Sequence, residues 1–380
     1  VSKKDADHVK VIFVPKTQKS PRVIAIEPVH NQYCQQALMR SLVKLIETDK
    51  LLRDGIFFTN AEEHRECARI GSKRSCEGSS EYATLDMSEA SDRVSASLVY
   101  FMLRRFPTLA DAVFKCRTKY ALLPDGTKVP LKKFASMGSA LCFPIEAMVF
   151  YAITIVGILQ GMGSRVTPRT VNRLVKTNQK GPLVFGDDII VTNGEVVPRL
   201  IEVLESACLK VNRRKTFYRG NFRESCGMDA YLGHNVTPVY VRNIAPESTR
   251  DAERFVSCLA SANLFYSKGY WTTAKVMRSF LEDLSGPLPH VRPTSSLLGH
   301  HSFGGAYSIE KWNQRLHRFE YHGLTTKTSK RSDKLESYDR LLKFFLTRSP
   351  LLGEPSEQED FDKSTIRSSL RLVRRWTTTY

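Results

Sequence analysis

The stretch LVFGDDIIVTNG, from Leu183 to Gly194, constrains this chain more than any other. Two apolar strand pieces joined by Gly186, Asp187 and Asp188 read as a hairpin with acids at its tip. A second acidic signal, Asp86 in LDMSEASDRVS, falls where the strand ATLDM gives way to a helix near Ser91, a residue suited to cap it. Asp86 lies 101 residues before Asp187, so only folding brings them together, and adjacent antiparallel strands would do so. Three carboxylates side by side are costly to bury unless cations neutralise them, which points to a pair of Mg²⁺ ions, with Mn²⁺ as a substitute. Two such ions about 3.5–4 Å apart activate a 3′-hydroxyl and stabilise a pyrophosphate leaving group during displacement at a nucleoside triphosphate. Neighbouring strand residues point to opposite faces but a tight turn relaxes that rule, so Asp187 is the stronger expected ligand and Asp188 the weaker. Taken alone, the same three letters also describe a solvated hairpin tip.

Composition narrows the partners. The 57 Lys and Arg against 39 Asp and Glu leave a net charge of +18 in 380 residues, which makes a polyanion the first partner to consider. With 42% hydrophobic residues the chain can bury a large core, as one big or two modest domains. The eight cysteines form no CxxC and no Cys/His cluster at zinc spacing, so a structural zinc and a disulfide framework are both unsupported. The most apolar run, Ala140 to Leu159, carries Pro144 and Glu146 and reads as a buried helix instead of a membrane span. The chain opens at Val1 within a basic segment and is expected to be a fragment of something longer.

Along the chain, VKVIFV (9–14) and RVIAI (22–26) read as two strands around the basic turn PKTQKSP. Helices are expected over 31–48, 61–70, 94–106 and 140–159, with a turn around PDG within 120–131. A further helix from Val197 to Val211 has its apolar set at Leu200, Ile201, Leu204, Cys208 and Val211. Beyond about residue 240 the pattern reads as mostly helical, and the basic tail from Arg367 to Arg375 as an RNA contact or a solvated helix.

Five strings in order, VPKTQKSPRVIAIEP, DMSEASDRVS, SMGSALCFPIEAMVF, VFGDDIIV and NRRKTFYRGNFRESCGMDAYLGHNVTPVYVR, resemble the motif series of an RNA-directed RNA polymerase. The series is most similar to the replicase catalytic subunit of the leviviruses, positive-strand RNA bacteriophages, over roughly Val9 to Arg242, with FRESCG the most family-specific string. The resemblance implies an α+β fold, a polymerase right hand with an antiparallel-sheet palm, partial fingers and a mainly helical thumb. Its expected divisions are fingers with the basic hairpin at 1–80, palm with the first metal motif at 81–119, and a fingers/palm connection at 120–135. Palm then follows at 136–242, and thumb with the basic tail at 243–380. Much of the fingers region that precedes the hairpin in leviviral enzymes is expected to be missing or reduced.

The resemblance also assigns residues. Asp86, Asp187 and Asp188 become metal ligands; Lys16, Lys19 and Arg22 face the incoming triphosphate. Asp92 falls near the ribose, where a carboxylate accepts from the 2′-hydroxyl; its plainer reading is a first-turn helix carboxylate or a partner for Arg93. Ser136 and Gly138 form a flexible loop toward template or ribose, and Glu146 stands in the helical region where many other viral polymerases carry asparagine. Lys215 resembles a lysine that protonates departing pyrophosphate, and FRESCG a primer grip in which Arg223 and Ser225 meet RNA.

The expected activity is templated 5′→3′ RNA synthesis from ribonucleoside triphosphates, replicating a viral genome. A reverse transcriptase would place a side chain that blocks the 2′-hydroxyl at Asp92, and a catalytically incomplete RNA-binding fragment would explain the charge but not three carboxylates at strand ends. A metal-dependent nuclease would need no basic hairpin. The resemblance further implies RNA template and product, the host translation elongation factors Tu and Ts, an RNA-binding ribosomal protein, no membrane, and the cytoplasm of a bacterial host.

Overall fold

The computed structural model describes residues 8–14, 21–73, 82–176, 181–241, 243–304, 309–332, 338 and 366–378. They fall into two compact units that divide after Thr237, five residues before the expected boundary at 242. Helices and mostly antiparallel sheets make the chain α+β.

The first unit opens with β1 (His8–Val14) and β2 (Arg22–Ile26), an antiparallel pair in which Val14 faces Arg22. Then come α1 (Val29–Thr48), α2 (Glu62–Lys73), β3 (Ala83–Ser88), α3 (Ala90–Arg93), α4 (Ala96–Leu103) and α5 (Pro107–Lys115). The PDG turn joins β4 (Tyr120–Leu122) to β5 (Lys128–Pro130), and β4 pairs in parallel with β1, giving a mixed sheet ordered β2-β1-β4-β5. Next are α6 (Cys142–Gly161), α7 (Pro168–Lys176), the hairpin of β6 (Leu183–Phe185) and β7 (Asp188–Val191), α8 (Val197–Ser206) and β8 (Lys210–Val211). A small antiparallel sheet of β9 (Phe222–Ser225), β10 (Met228–Tyr231) and β11 (His234–Asn235) closes the unit.

The sheet that organises everything else is β6-β7-β3-β8, antiparallel throughout. Leu85, Val184, Ile189 and Val191 bury one continuous apolar layer on it, and α6 and α8 cover that layer with Ile145, Phe150, Leu200 and Leu204. Each such side chain contributes about 1.5–3 kcal/mol by leaving water. Pro144 does not interrupt α6, because it sits in the first turn, where no backbone donor is needed. By length and composition α6 could cross a membrane, yet 67% of its most apolar window is buried inside the unit, as a core helix requires.

Two local expectations are corrected. Ser91 lies inside α3 and does not cap it; Glu89 precedes that helix in a left-handed conformation, and the hydroxyl that caps a helix here is Ser95, which accepts from Leu98 N–H at the start of α4. The α8 helix stops at Ser206, because Cys208 adopts a φ of 63° and turns the chain into β8. The basic segment after α6 carries the short helix α7.

The second unit pairs α9 (Ala252–Ser267) with α10 (Trp271–Ser285) around Phe255, Leu259 and Leu281. It also holds an antiparallel sheet of β12 (Ile309–Asn313), β13 (Arg318–Ser332) and β14 (Ile366–Thr377). The mainly helical reading of this segment is therefore corrected: the basic tail is neither helix nor loop but a strand paired along its length with β13. Leu372 packs on the core while the flanking Arg371 is exposed.

Candidate active site

Strand β3 carries Asp86 and β7 begins with Asp188, and the ladder between them sets these two residues directly opposite each other. On an antiparallel ladder, directly opposed residues share a face, so two carboxylates meet on one rung. Asn212 holds Asp86 twice: its Nδ2 donates to Asp86 Oδ2 at 2.7 Å and its backbone N–H to the Asp86 carbonyl at 2.9 Å. Asp188 Oδ2 accepts the backbone N–H of Cys226 at 3.0 Å. That donor is presented by the β9–β10 hairpin, whose turn residues Cys226 and Gly227 both have positive φ, 48° and 71°, as a tight type I′ connection needs.

Asp187 stands exposed in the turn between β6 and β7, behind Gly186. Gly186 has a φ of 61°, and a Cβ there would lie 2.5 Å from the Phe143 ring, so the turn requires glycine on two counts. Burial pushes the Asp188 carboxyl up to about 7, and the neighbouring Asp187 charge adds to it. Glu146, buried in the first turns of α6, is pushed up to about 8 by burial and then by the charges of Asp187 and, more weakly, Asp92. The thiol of Cys142 reaches Glu146 Oε2 at 3.7 Å.

The site thus has two flanks that meet at Asp187. On one, Asp86 and Asp188 are joined by Glu224, raised chiefly by burial, and by Lys215, whose Nζ lies 3.5 Å from Glu224 Oε2. Burial lowers the Lys215 ammonium, but the charges of Glu224, Asp86 and Asp188 outweigh it and the net shift is upward. On the other flank, Glu146 and Asp92 are joined by Lys133, whose Nζ lies 2.5 Å from Asp92 Oδ1. Arg93 pairs with Glu89 at 2.8 Å, so the simple Asp92–Arg93 pair is not formed.

The residues expected in the site fare unequally. Arg22 is exposed at the start of β2, while Lys16 and Lys19 lie outside the described residues. The Ser136–Gly138 loop is packed and not free: Ser136 is buried, and Ala25 N–H donates to the Met137 carbonyl at 2.9 Å, which stitches the loop to β2. Gly138 has a φ of 133°, and a Cβ there would lie 2.1 Å from the Ala25 carbonyl oxygen.

Arg223 and Ser225 are corrections. Arg223 is 0% exposed, and its guanidinium donates to the carbonyls of Tyr82, Gly220 and Phe222 at 2.6, 2.8 and 2.5 Å, so it ties loops together and cannot reach a phosphate. Burial holds it down to about 10. Ser225 is buried too, its hydroxyl 3.5 Å from Nδ1 of the buried His64. Cys226 is pushed up to about 12 by burial, consistent with a thiol that is no nucleophile.

Sequence reasoning missed Asn212, Glu224 and Lys133. Asn212 and Glu224 lie inside strings already singled out, NRRK and FRES, but nothing in a string says which polar side chain turns inward. Lys133 carried no signal.

Among the described residues no three His, Cys, Asp or Glu side chains converge into a ready-made metal cage. Mg²⁺ seldom needs one, since it is held by one or two carboxylates together with water and substrate phosphates. The Asp86–Asp188 rung, where burial and the Asp187 charge both disfavour the ionised form of Asp188, fits an ion of that kind.

Comparison with known proteins follows the same residues. Residues 2–249 match the family described as RNA replicase, beta-chain. The RNA-directed RNA polymerase subunit beta of Enterobacteria phage SP is 33% identical over 268 residues, 70% of this chain and 39% of that protein. Its counterpart from Escherichia virus Qbeta is 33% identical over 62% of this chain and 35% of that protein, and the beta chain of Escherichia phage MS2 33% identical over 61% and 37%. The chain therefore spans less than two fifths of the length of these relatives. Among solved structures, an RNA-dependent RNA polymerase of a human picobirnavirus aligns at 12% identity and a TM-score of 0.45, covering 73% of this chain and 57% of that one. Telomerase from Candida albicans aligns at 14% identity and a TM-score of 0.41, covering 70% of this chain and 50% of that one.

Proposed function

Because this chain belongs to the RNA replicase beta-chain family, we propose that it carries the catalytic part of an RNA-directed RNA polymerase that joins ribonucleoside triphosphates 5′→3′ on an RNA template. The observation that carries this reading is the Asp86–Asp188 rung with Asp187 at the adjoining turn. In this reading the β6-β7-β3-β8 sheet is the palm, the β1–β2 hairpin belongs to the fingers and the second unit is the thumb.

Asp86, Asp188 and Asp187 would hold Mg²⁺, which when bound supplies an activated 3′-hydroxyl and a neutralised pyrophosphate. Lys215 keeps its proton at neutral pH, because the surrounding carboxylates raise it, and so can donate to the departing pyrophosphate. Arg22, at the open end of β2, supplies positive charge toward the triphosphate. Asp92 accepts a hydrogen bond from the ribose 2′-hydroxyl and so favours ribonucleotides. Asn212 fixes Asp86 without adding charge, which keeps the rung's carboxylates oriented before any substrate arrives.

The template and product are RNA. The subunit names of the phage relatives support work within a larger assembly in a bacterial cytoplasm, with the elongation factors Tu and Ts and a ribosomal RNA-binding protein as the proposed companions.

The test is incorporation of labelled ribonucleotides on a defined RNA template with Mg²⁺, run beside Asp187→Asn and beside deoxynucleotides. Templated product that the substitution abolishes supports the reading. Absence of both product and Mg²⁺-dependent triphosphate binding would overturn it. Loss of synthesis with RNA binding intact in Asp187→Asn separates a catalytic role from simple RNA affinity.

A further inference from the structure

Asp92 needs a fixed orientation if it is to read a ribose, and it begins from a poor position. It sits in a four-residue helix, α3, with its side chain about half exposed. Its charge also acts on buried Glu146, which in turn feels Asp187, so this flank of the site is crowded with acids. A free carboxylate there would rotate toward water and away from its neighbours.

Lys133 prevents that. Its Nζ lies 2.5 Å from Asp92 Oδ1, and its side chain is only 21% exposed, so the pair is well shielded on the lysine side. The lysine is itself placed by backbone. Residues 132–134 run beside 94–96: Ala96 N–H donates to the Lys132 carbonyl at 3.0 Å and Phe134 N–H to the Val94 carbonyl at 2.7 Å. The half-buried guanidinium of Arg117 then takes the carbonyls of Leu131, Lys133 and Phe134 at 2.5, 2.8 and 2.9 Å. The segment that follows α3 and the segment that carries Lys133 are thereby locked together, and the ammonium meets the Oδ1 end of the Asp92 carboxylate. Asp92 Oδ2 accepts no hydrogen bond among the described residues.

We propose that Lys133 is a positioning residue for sugar selection, engaging Asp92 Oδ1 so that Oδ2 is held out for the 2′-hydroxyl of an incoming ribonucleoside triphosphate. The proposal rests on the polymerase reading and on Asp92 as its ribose contact. It extends that reading to a lysine some forty residues from Asp92 in sequence, outside every motif string.

The experiment compares wild type with Lys133→Met, Lys133→Arg and Asp92→Asn, measuring Mg²⁺-dependent affinity for GTP and 2′-deoxy-GTP, and KM and kcat where incorporation is observed. A hydrogen bond to a charged group is worth about a factor of ten or more in affinity. Lys133→Met should lower the ribo-over-deoxy preference by about tenfold, as Asp92→Asn does, by weakening GTP binding and leaving 2′-deoxy-GTP unchanged. Lys133→Arg should restore most of it, and Lys133→Met combined with Asp92→Asn should be no worse than Asp92→Asn alone. An unchanged preference in Lys133→Met, beside a lowered one in Asp92→Asn, would overturn the role of Lys133 while sparing that of Asp92. An unchanged preference in Asp92→Asn would overturn the ribose contact and this proposal with it, and a wild type that binds neither nucleotide would overturn the polymerase reading itself.

Discussion

Asp86 and Asp188 occupy one rung of the β3–β7 ladder, each with one carboxylate oxygen already engaged, Asp86 by the Asn212 side chain and Asp188 by the Cys226 backbone. Burial disfavours the ionised form of Asp188, and the neighbouring Asp187 charge adds to the penalty. A site that keeps such a rung is holding charge ready for a cation.

Neutralising that rung should therefore separate stability from activity. Asp188→Asn retains an oxygen that can accept from Cys226 N–H, and it is expected to raise stability by about 1–2 kcal/mol in the absence of divalent ions. The same variant should lose RNA synthesis by about 100-fold or more. Thermal melting with EDTA and with Mg²⁺, beside nucleotide incorporation, checks both halves.

His64 gives the pH dependence a definite sign. The ring is fully buried between Phe57 and Phe185, and burial pushes it down to about 4. With its folded pKa below the unfolded value of about 6.5, its contribution is present above pH 6.5 and is lost as pH falls toward 4. A displacement of that size is worth about 3 kcal/mol across the window. Denaturant unfolding of wild type and His64→Phe at pH 7 and pH 4.5 should show the wild type losing more stability than the variant by roughly 2–3 kcal/mol.

Arg223 should behave as a structural tie. Arg223→Met removes the donor to three part-buried carbonyls from a fully buried position and is expected to destabilise by about 3 kcal/mol. The salt dependence of RNA binding should keep its slope in any folded fraction, whereas exposed Arg22→Ala should lower that slope by about one with little effect on stability. Urea titrations and binding isotherms at several salt concentrations distinguish the two arginines.

Gly138→Ala places a methyl group against the Ala25 carbonyl at a φ of 133°, so both space and backbone conformation oppose it. Expected destabilisation is about 2–4 kcal/mol. Gly126→Ala, at a φ of 86° with nothing nearby, should lose no more than about 1–2 kcal/mol and serves as the control in the same denaturation series.

The sequence by itself determined the local pieces of this protein and their order. The hairpin of β1 and β2, the buried run of α6 and the acidic turn after Phe185 were all legible, because strand alternation, unbroken apolar length and turn residues act over a few neighbouring positions. Five strings in order were enough to point to the replicase family. The strand nature of the basic tail was missed because its high charge reads equally well as a solvated helix, and its pairing with β13 is not a local signal. What only the tertiary structure decided is which side chains turn inward. Arg223 and Ser225 sit in the same four-residue strand as Glu224, yet the first two are buried among loops and the third faces Lys215. Alternation along β9 fixes that such a split exists, but only the packing of α2 and β3 against one face fixes which residues take which side. Likewise no local signal connects Lys133 to Asp92: a hydrogen bond between groups distant in sequence forms because backbone pairing elsewhere has already brought the two segments together.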